Sequence, residues 1–392
     1  MVEINDTGRT DDRIVGDIRT RLAHDSARKH VSGEALYIDD LAEPAGLLHL
    51  HPVLSTRPRA RVVSLDISAA IACEGVVTVL TADDVPGTND FGHEGLDDDW
   101  ILASERVAYV GQVICVIAAE TLDAARMAAK TVRIDFADET PILTVDQAVE
   151  AASFLQDLPA VTKGDCAGEL AAAPHRISGT IESGAQDHFY LEGHIAMALP
   201  KEDDDVHIYS STQDPTAVQH LVARIMDIPA NAVTVEVRRM GGAFGGKETQ
   251  ATQFAAIVAI AARKTGRPAK FRLDRDDDMR ITGKRHEFAS TYEVGFDDNG
   301  RIRAFNAKMG VRCGNAEDQS PYILARALNH LDNCYYLEHV DFSGLLCKTN
   351  TVSACAFRGF GTPQAFVVTE RVIDRIAFQL GLDPLEVRKV NF

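Results

Sequence analysis

Residues 240–249 read MGGAFGGKET, and the spacing from Gly241 to Lys247, G-x-x-x-x-G-K, is that of a loop that wraps nucleotide phosphates. The next residue breaks that reading. A nucleotide-hydrolysing loop needs a Ser or Thr hydroxyl for its Mg²⁺, whereas Glu248 would turn a carboxylate toward the phosphates. The run lies between a β-rich segment, AVTVEVRR, and an apolar stretch, QATQFAAIVAIAARKTG, whose Gly266 and Pro268 mark a helix end. A strand, a Gly-rich turn and a helix in that order point to an α/β domain.

A second Gly/Phe turn, Gly359-Phe360-Gly361, follows in SACAFRGFGTPQAFVVTERVIDRIAFQLG, where Thr362 and Pro363 predict an N-cap and first helical position. Two such turns, each feeding a helix start, could hold an anionic ligand by free backbone amides. Arg358, between Phe357 and Gly359, offers a planar fork for a carbonyl or heterocycle edge, or an ordinary buried ion pair. Lys247 and Glu248 read equally as a solvated first helical turn, and His188 as a structural histidine.

Bulk properties narrow the classes. The 392 residues are enough for two or three domains, and 45% apolar with 25% charged residues is ordinary globular composition. With 58 acidic residues against 40 basic ones the net charge is −18, which argues against a nucleic-acid partner. The polar amino terminus and the shortness of the longest apolar run, 254–262, argue against a membrane span and for a cytoplasmic protein. The seven cysteines include no C-x-x-C, which fits buried thiols better than a disulfide frame, a zinc site or an iron-sulfur cluster. His49 and His51 would share a strand face but lack a third metal ligand nearby.

Along the chain the pattern predicts a mobile leader over 1–27, a small α/β domain over 28–140, a linker with one short helix over 141–177, and a larger mixed α/β domain over 178–392. In the small domain Thr121 is the expected N-cap of TLDAARMAAKT, and in the larger one Asp298-Asn299-Gly300 is the expected hairpin turn.

Three segments in register, GAQDHFYLEG, RRMGGAFGGKE and AFRGFGTPQ, resemble the signature segments of the xanthine dehydrogenase molybdenum subunit, in the xanthine oxidase superfamily. KHVSGEALYIDD, YVGQVICVIAAETLDAAR, STQDPTAVQ and ITGKRHEF resemble it too, so the likeness runs from about residue 28 to the last residue. It implies an α/β (α+β) fold: a small hammerhead-like α/β domain followed by a molybdopterin-binding domain.

The resemblance also implies roles. Gln186 matches the glutamine that hydrogen-bonds an oxygen ligand of molybdenum, and Phe244 and Gly245 match the turn beside that ligand, while the metal is held by a pterin dithiolene and needs no side-chain ligand. Glu248 and Arg358 match a pair gripping opposite edges of a purine, Phe392 a ring stacking on the heterocycle, and Val390 a backbone amide near the metal centre. The implied reaction is oxidative hydroxylation of xanthine or hypoxanthine, with electrons leaving through iron-sulfur clusters and FAD in partner subunits. QDH in place of the commoner QEH, and Thr362 in place of glycine, are small departures. Family subunits are about twice this length, so the general base and a second half of the molybdenum subunit are expected outside these residues. Other readings that the sequence leaves open are a hydroxylase for an aldehyde or another N-heterocycle, and a non-catalytic half-subunit.

Overall fold

The computed structural model describes residues 22–92, 96–158 and 160–392. Its architecture is mixed α/β, with three sheets among those residues. The strand Val113–Ala119, VICVIAA, is buried at every position and lies inside a seven-stranded sheet, as an uninterrupted apolar run should. Across that sheet the order is Val233–Glu236, Val206–Ser210, Ile195–Pro200, Ala269–Arg272, Leu48–Leu54, Val113–Ala119 and Val76–Leu80. Leu48–Leu54 runs parallel to Ala269–Arg272, with Leu48 opposite Ala269, and antiparallel to Val113–Ala119. The smaller domain and the larger one therefore share a single sheet.

The helix Ala251–Thr265 packs on this sheet with residues 251–262 all buried, and ends at Gly266 in the left-handed region. A helix apolar on one side would leave half of itself in water. This one is apolar nearly all round and fills the core between the sheet and the helix Pro215–Met226.

A five-stranded sheet forms the second layer, ordered Val161–Lys163, Val340–Lys348, Ile302–Gly314, Glu287–Phe296 and His175–Ser183. Its central hairpin turns at Asp297–Gly300, where Gly300 has φ 82°, as the Asp-Asn-Gly sequence predicts. The helices Ser320–Leu328, Thr362–Leu380 and Pro384–Val390 contribute to the core against it. A three-stranded sheet, Arg106–Val107, Ala60–Asp66 and Arg133–Asp138, carries the rest of the smaller domain. Thr121 caps the helix Leu122–Ala129 by accepting from the Ala124 amide.

Three local expectations change. Residues 141–177 hold two helices rather than one, Val145–Glu150 and Cys166–Ala172, because Thr144 and Asp165 each accept a helix-start amide; the strand Val161–Lys163 then joins the five-stranded sheet. The cap of the helix Thr362–Leu380 is Gly361, not Thr362: Gly361 has φ 91°, and a Cβ there would lie 2.3 Å from the Ile323 carbonyl oxygen. Of the expected leader, residues 1–21 lie outside the described residues, while Asp25 and Ser26 accept from the Arg238 guanidinium at 2.6 and 3.3 Å.

Candidate active site

The Gly-rich turn is built on unusual backbone. Gly242, Phe244 and Gly245 have φ of 100°, 56° and 105°, and a non-glycine residue held this way costs on the order of 1–3 kcal/mol. Phe244 is nevertheless half-exposed, so its own ring does not repay that strain through burial. The second Gly/Phe turn holds it in place. The Arg358 amide donates to the Phe244 carbonyl at 2.9 Å, and a Cβ on Gly245 would lie 2.5 Å from the Ala356 carbonyl oxygen. Glycine is needed here because the two turns touch.

The amides of the turn's second half, Gly245 to Glu248, are not free for an anion. Gly245 and Lys247 donate to Gln213 Oε1 at 2.9 and 3.3 Å, Gly246 to the Ala243 carbonyl and Glu248 to the Gly245 carbonyl, and the helix begins only at Ala251. The expectation of an open helix terminus at this turn thus gives way to a closed knot. Gln213, in the STQDPTAVQ segment, is the residue that closes it.

Beneath the turn lies a polar network that the sequence does not reveal. Lys247, expected on a solvated turn, is fully buried. Its ammonium donates to the Glu192 carbonyl at 2.7 Å and to Ser211 Oγ at 2.8 Å, pairs with Glu192 Oε2 at 3.5 Å, and lies 4.6 Å from the centre of the Tyr190 ring. Glu192 Oε2 in turn accepts from the Gly241 amide at 2.9 Å, so the ion pair grips the first glycine of the turn. Burial pulls the Lys247 ammonium down to about 8, against the opposing pull of the Glu192 carboxylate. Further in, Asp278 accepts from Tyr190, Thr282 and the His194 amide.

Gln186 lies at the surface beside the joined turns. Arg285, from the ITGKRHEF segment, donates its amide to the Gln186 carbonyl at 2.9 Å and its Nε–H to Gln186 Oε1 at 2.7 Å. Its Nη2 donates to the Arg358 carbonyl at 2.9 Å, and the guanidinium lies 3.9 Å over the Phe357 ring. Arg285 therefore ties the first signature segment to the third. His188 packs beneath: its Nε2–H donates to the Ala356 carbonyl at 2.7 Å, its ring stacks on Phe357, and burial lowers its basicity. This supports the structural reading of His188.

Glu248 is half-buried, accepts from Gln319 Nε2 at 2.8 Å, and borders a cleft of about 530 Å³ with Phe91, Asp99, His220 and Gln319 among its walls. Arg358 is exposed rather than masked by its apolar neighbours; among the described residues its backbone, not its guanidinium, makes the hydrogen bonds. Phe244, Gly245, Glu248 and Arg358 lie on the joined loops, and Gln186 lies beside them, linked through Arg285.

Val390 and Phe392 do not. Asn391, between them, accepts from the Ile302 amide at 2.8 Å, at the hairpin-turn end of Ile302–Gly314, whereas Arg285 lies at the other end, two residues before Glu287 opposite Arg312. Ten residues of strand place those ends roughly 30 Å apart. Phe392 instead stacks on Tyr335, centroids 5.7 Å apart.

Comparison with known proteins gives the family. The family model described as "Molybdopterin cofactor-binding domain" matches residues 150–392, and that described as "Aldehyde oxidase and xanthine dehydrogenase, a/b hammerhead domain" matches residues 32–140. The chain belongs to the molybdenum hydroxylase superfamily. It is 41% identical to "Xanthine dehydrogenase/oxidase" of Gallus gallus over 94% of this chain and 27% of that protein, and 41% identical to "Aldehyde oxidase 2" of Cavia porcellus over 94% and 28%. Among solved structures, the aldehyde oxidoreductase from Desulfovibrio gigas superposes with a TM-score of 0.85 at 27% identity, covering 94% of this chain and 42% of that one. The chain thus spans between a quarter and a third of the length of these curated relatives.

The joined loops fit a pterin-held metal centre. Gly245 leaves bare backbone at the contact, Phe244 is held half-exposed, and Gln186 keeps its amide nitrogen clear of the Arg285 bond. Arg285 Nη1 is buried there without a hydrogen-bond partner among the described residues. Among those residues no group of three or more His, Cys, Asp or Glu is arranged to hold a metal ion by itself.

Proposed function

We propose that this chain is the cofactor-binding part of a purine hydroxylase that oxidatively hydroxylates xanthine or hypoxanthine. The observation that carries the reading is Glu248: a half-buried carboxyl beside the strained turn, with one oxygen held by Gln319 and the other without a protein partner among the described residues. A carboxyl so placed suits a ring nitrogen better than the apolar end of a simple aldehyde.

When bound, the molybdenum–pterin group supplies oxygen transfer and two-electron oxidation. The chain's own residues then have separable tasks. Gln186 donates from its amide nitrogen to an oxygen of that group. Gly245 lets the backbone come close where a side chain would collide. Glu248 exchanges a proton or hydrogen bond with a purine ring nitrogen, and the Arg358 guanidinium, without another bond among the described residues, neutralises charge building on the far carbonyl. Iron-sulfur clusters and FAD in partner chains, or in further parts of the protein, would carry the electrons away. A cytoplasmic location accords with this chemistry, and among the described residues no helix is long and apolar enough to cross a membrane.

A second reading, an aldehyde or non-purine heterocycle as substrate, is favoured by the equal identity to an aldehyde oxidase. Steady-state kinetics of the assembled enzyme separate the two. Arg358→Met should lower kcat on xanthine roughly 100-fold, the scale of losing one charge-stabilising donor. Glu248→Val should impair purines comparably while sparing small aldehydes. If both variants keep xanthine turnover within about threefold, under ~1 kcal/mol of barrier, the purine reading fails.

A further inference from the structure

A carboxyl group taken out of water needs a partner, and the carboxyl of Asp99 has no hydrogen bond among the described residues. The residue is only 4% exposed, and its bonds are made by its backbone: the amide donates to Asp90 Oδ1 at 3.0 Å, and the carbonyl accepts from the Phe91 amide at 3.0 Å. Asp99 forms part of the wall of the cleft that Glu248 borders, and its carboxyl is open to that space rather than sealed among protein atoms. Leaving such a group unpaired is a cost that a bound ligand would offset. Burial, then the carboxylates of Asp318, Asp98 and Asp90, push its pKa well up, so the group keeps its proton and can both donate and accept.

The rest of the wall narrows the choice of ligand. At about 530 Å³ the cleft has the size of a small-molecule site. Asp214 and Asp318 share it with Asp99 and Glu248, while the Arg224 guanidinium is engaged by the Asp90 and Gly92 carbonyls at 2.8 and 3.2 Å and by Asp90 Oδ2 at 3.5 Å. Such a wall favours an uncharged, hydrogen-bonding ligand over an anion. We propose that Asp99, from the smaller domain, is a specificity-determining residue of this cleft, whose carboxyl hydrogen-bonds the polar edge of an uncharged N-heterocycle that also meets Glu248. The proposal rests on the reading above, in which Glu248 faces the substrate. It adds that the smaller domain reads the substrate too.

The test uses the assembled, cofactor-loaded enzyme, with hypoxanthine as the N-heterocycle and benzaldehyde, which has no ring nitrogen, as the control. Asp99→Ala removes the hydrogen-bonding group without narrowing the cleft, whereas Asp99→Asn keeps a donor and an acceptor. Asp99→Ala should raise KM for hypoxanthine roughly 10-fold, the scale of one hydrogen bond, with kcat within about twofold and KM for benzaldehyde unchanged. Asp99→Asn should hold KM for hypoxanthine within about threefold of the parent. Because the carboxyl bonds nothing in the free protein, neither variant should lower the denaturant midpoint of unfolding. The role is overturned if Asp99→Ala leaves KM for hypoxanthine within about twofold of the parent, if it raises KM for both substrates alike, or if Asp99→Asn is no better than Asp99→Ala. It is equally overturned if Asp99→Ala unfolds well below the parent, since the carboxyl would then be supporting the fold. Glu248→Val keeps the two readings apart. If it impairs purines while Asp99→Ala does not, only the role of Asp99 falls; if it spares purines as well, the reading of the cleft falls with it.

Discussion

Residues 240–250 and 251–262 are neighbours in sequence and are held by opposite means. The helical stretch is held by burial, each residue enclosed by the sheet and an adjacent helix. The turn before it buries few large apolar groups; it is held by a lysine–glutamate pair, a glutamine that takes two of its amides, and one bond to the other Gly/Phe turn. Apolar burial is tolerant of detail, since any well-filled core serves. Directional polar contacts fix backbone atoms to within tenths of an ångström, which is what a metal-centre cradle requires. The difference teaches where to look for function in this fold: in the segment whose stability depends on specific partners.

The sharpest way to break that comparison is to damage each side. Phe254→Ala, which removes a buried ring packed on Phe271 and His194, should cost about 3–5 kcal/mol in denaturant unfolding. Lys247→Met should cost about 3 kcal/mol, because Glu192 is left buried with only the Gly241 amide and Ser211 as donors. The lysine also carries a pH signature. Its folded-state value of about 8 lies below the ordinary 10.5, so between those pH values the unfolded chain binds the extra proton, and stability rises with pH. The parent should therefore gain on Lys247→Met as pH is raised from about 8 to about 10.5. A constant difference across that window would show that the ammonium is not desolvated.

What could be read in advance follows the same division. The helix Ala251–Thr265, the strand Val113–Ala119 and the hairpin turn at Gly300 were legible because each is written in a few adjacent residues. The family was legible because three long segments keep their order. The shared seven-stranded sheet was not, since it depends on pairing Leu48 with Ala269 across most of the chain. Nor was the role of Lys247, whose partners lie 55 and 36 residues away, or of Arg285, which reaches 99 residues back and 73 forward. Val390 and Phe392 were placed by resemblance at the chain's end. The strand Ile302–Gly314 carries that end to the hairpin-turn end of the sheet.

Two smaller effects sharpen the contrast. Gly245→Ala should cost about 2 kcal/mol, from a left-handed backbone and a Cβ that meets the Ala356 carbonyl. If the joined turns cradle the cofactor, the variant should lose molybdenum and pterin out of proportion to that destabilisation. Retention of full cofactor content in a correctly folded Gly245→Ala enzyme would argue that the turns need not touch.

The smallest expected effect is at Phe392, and it tests position rather than strength. The ring is 66% exposed and stacks on Tyr335, whose hydroxyl donates to Glu370 Oε1 at 2.7 Å. An aromatic pair of this kind contributes about 1 kcal/mol, so Phe392→Ala should lower stability by no more than that. Because roughly 30 Å of strand separates it from Arg285 and Gln186, the substitution should leave KM and kcat unchanged for purines and aldehydes alike in the assembled enzyme. A selective loss of purine turnover would mean that the ring does stack on the heterocycle, and hence that the carboxyl-terminal helix leaves the hairpin when the rest of the protein is present. The Tyr335 contact decides between these outcomes independently. Tyr335→Phe keeps the stacking surface and removes only the bond to Glu370, so a purely structural Phe392 predicts small stability losses at both residues and no kinetic change at either.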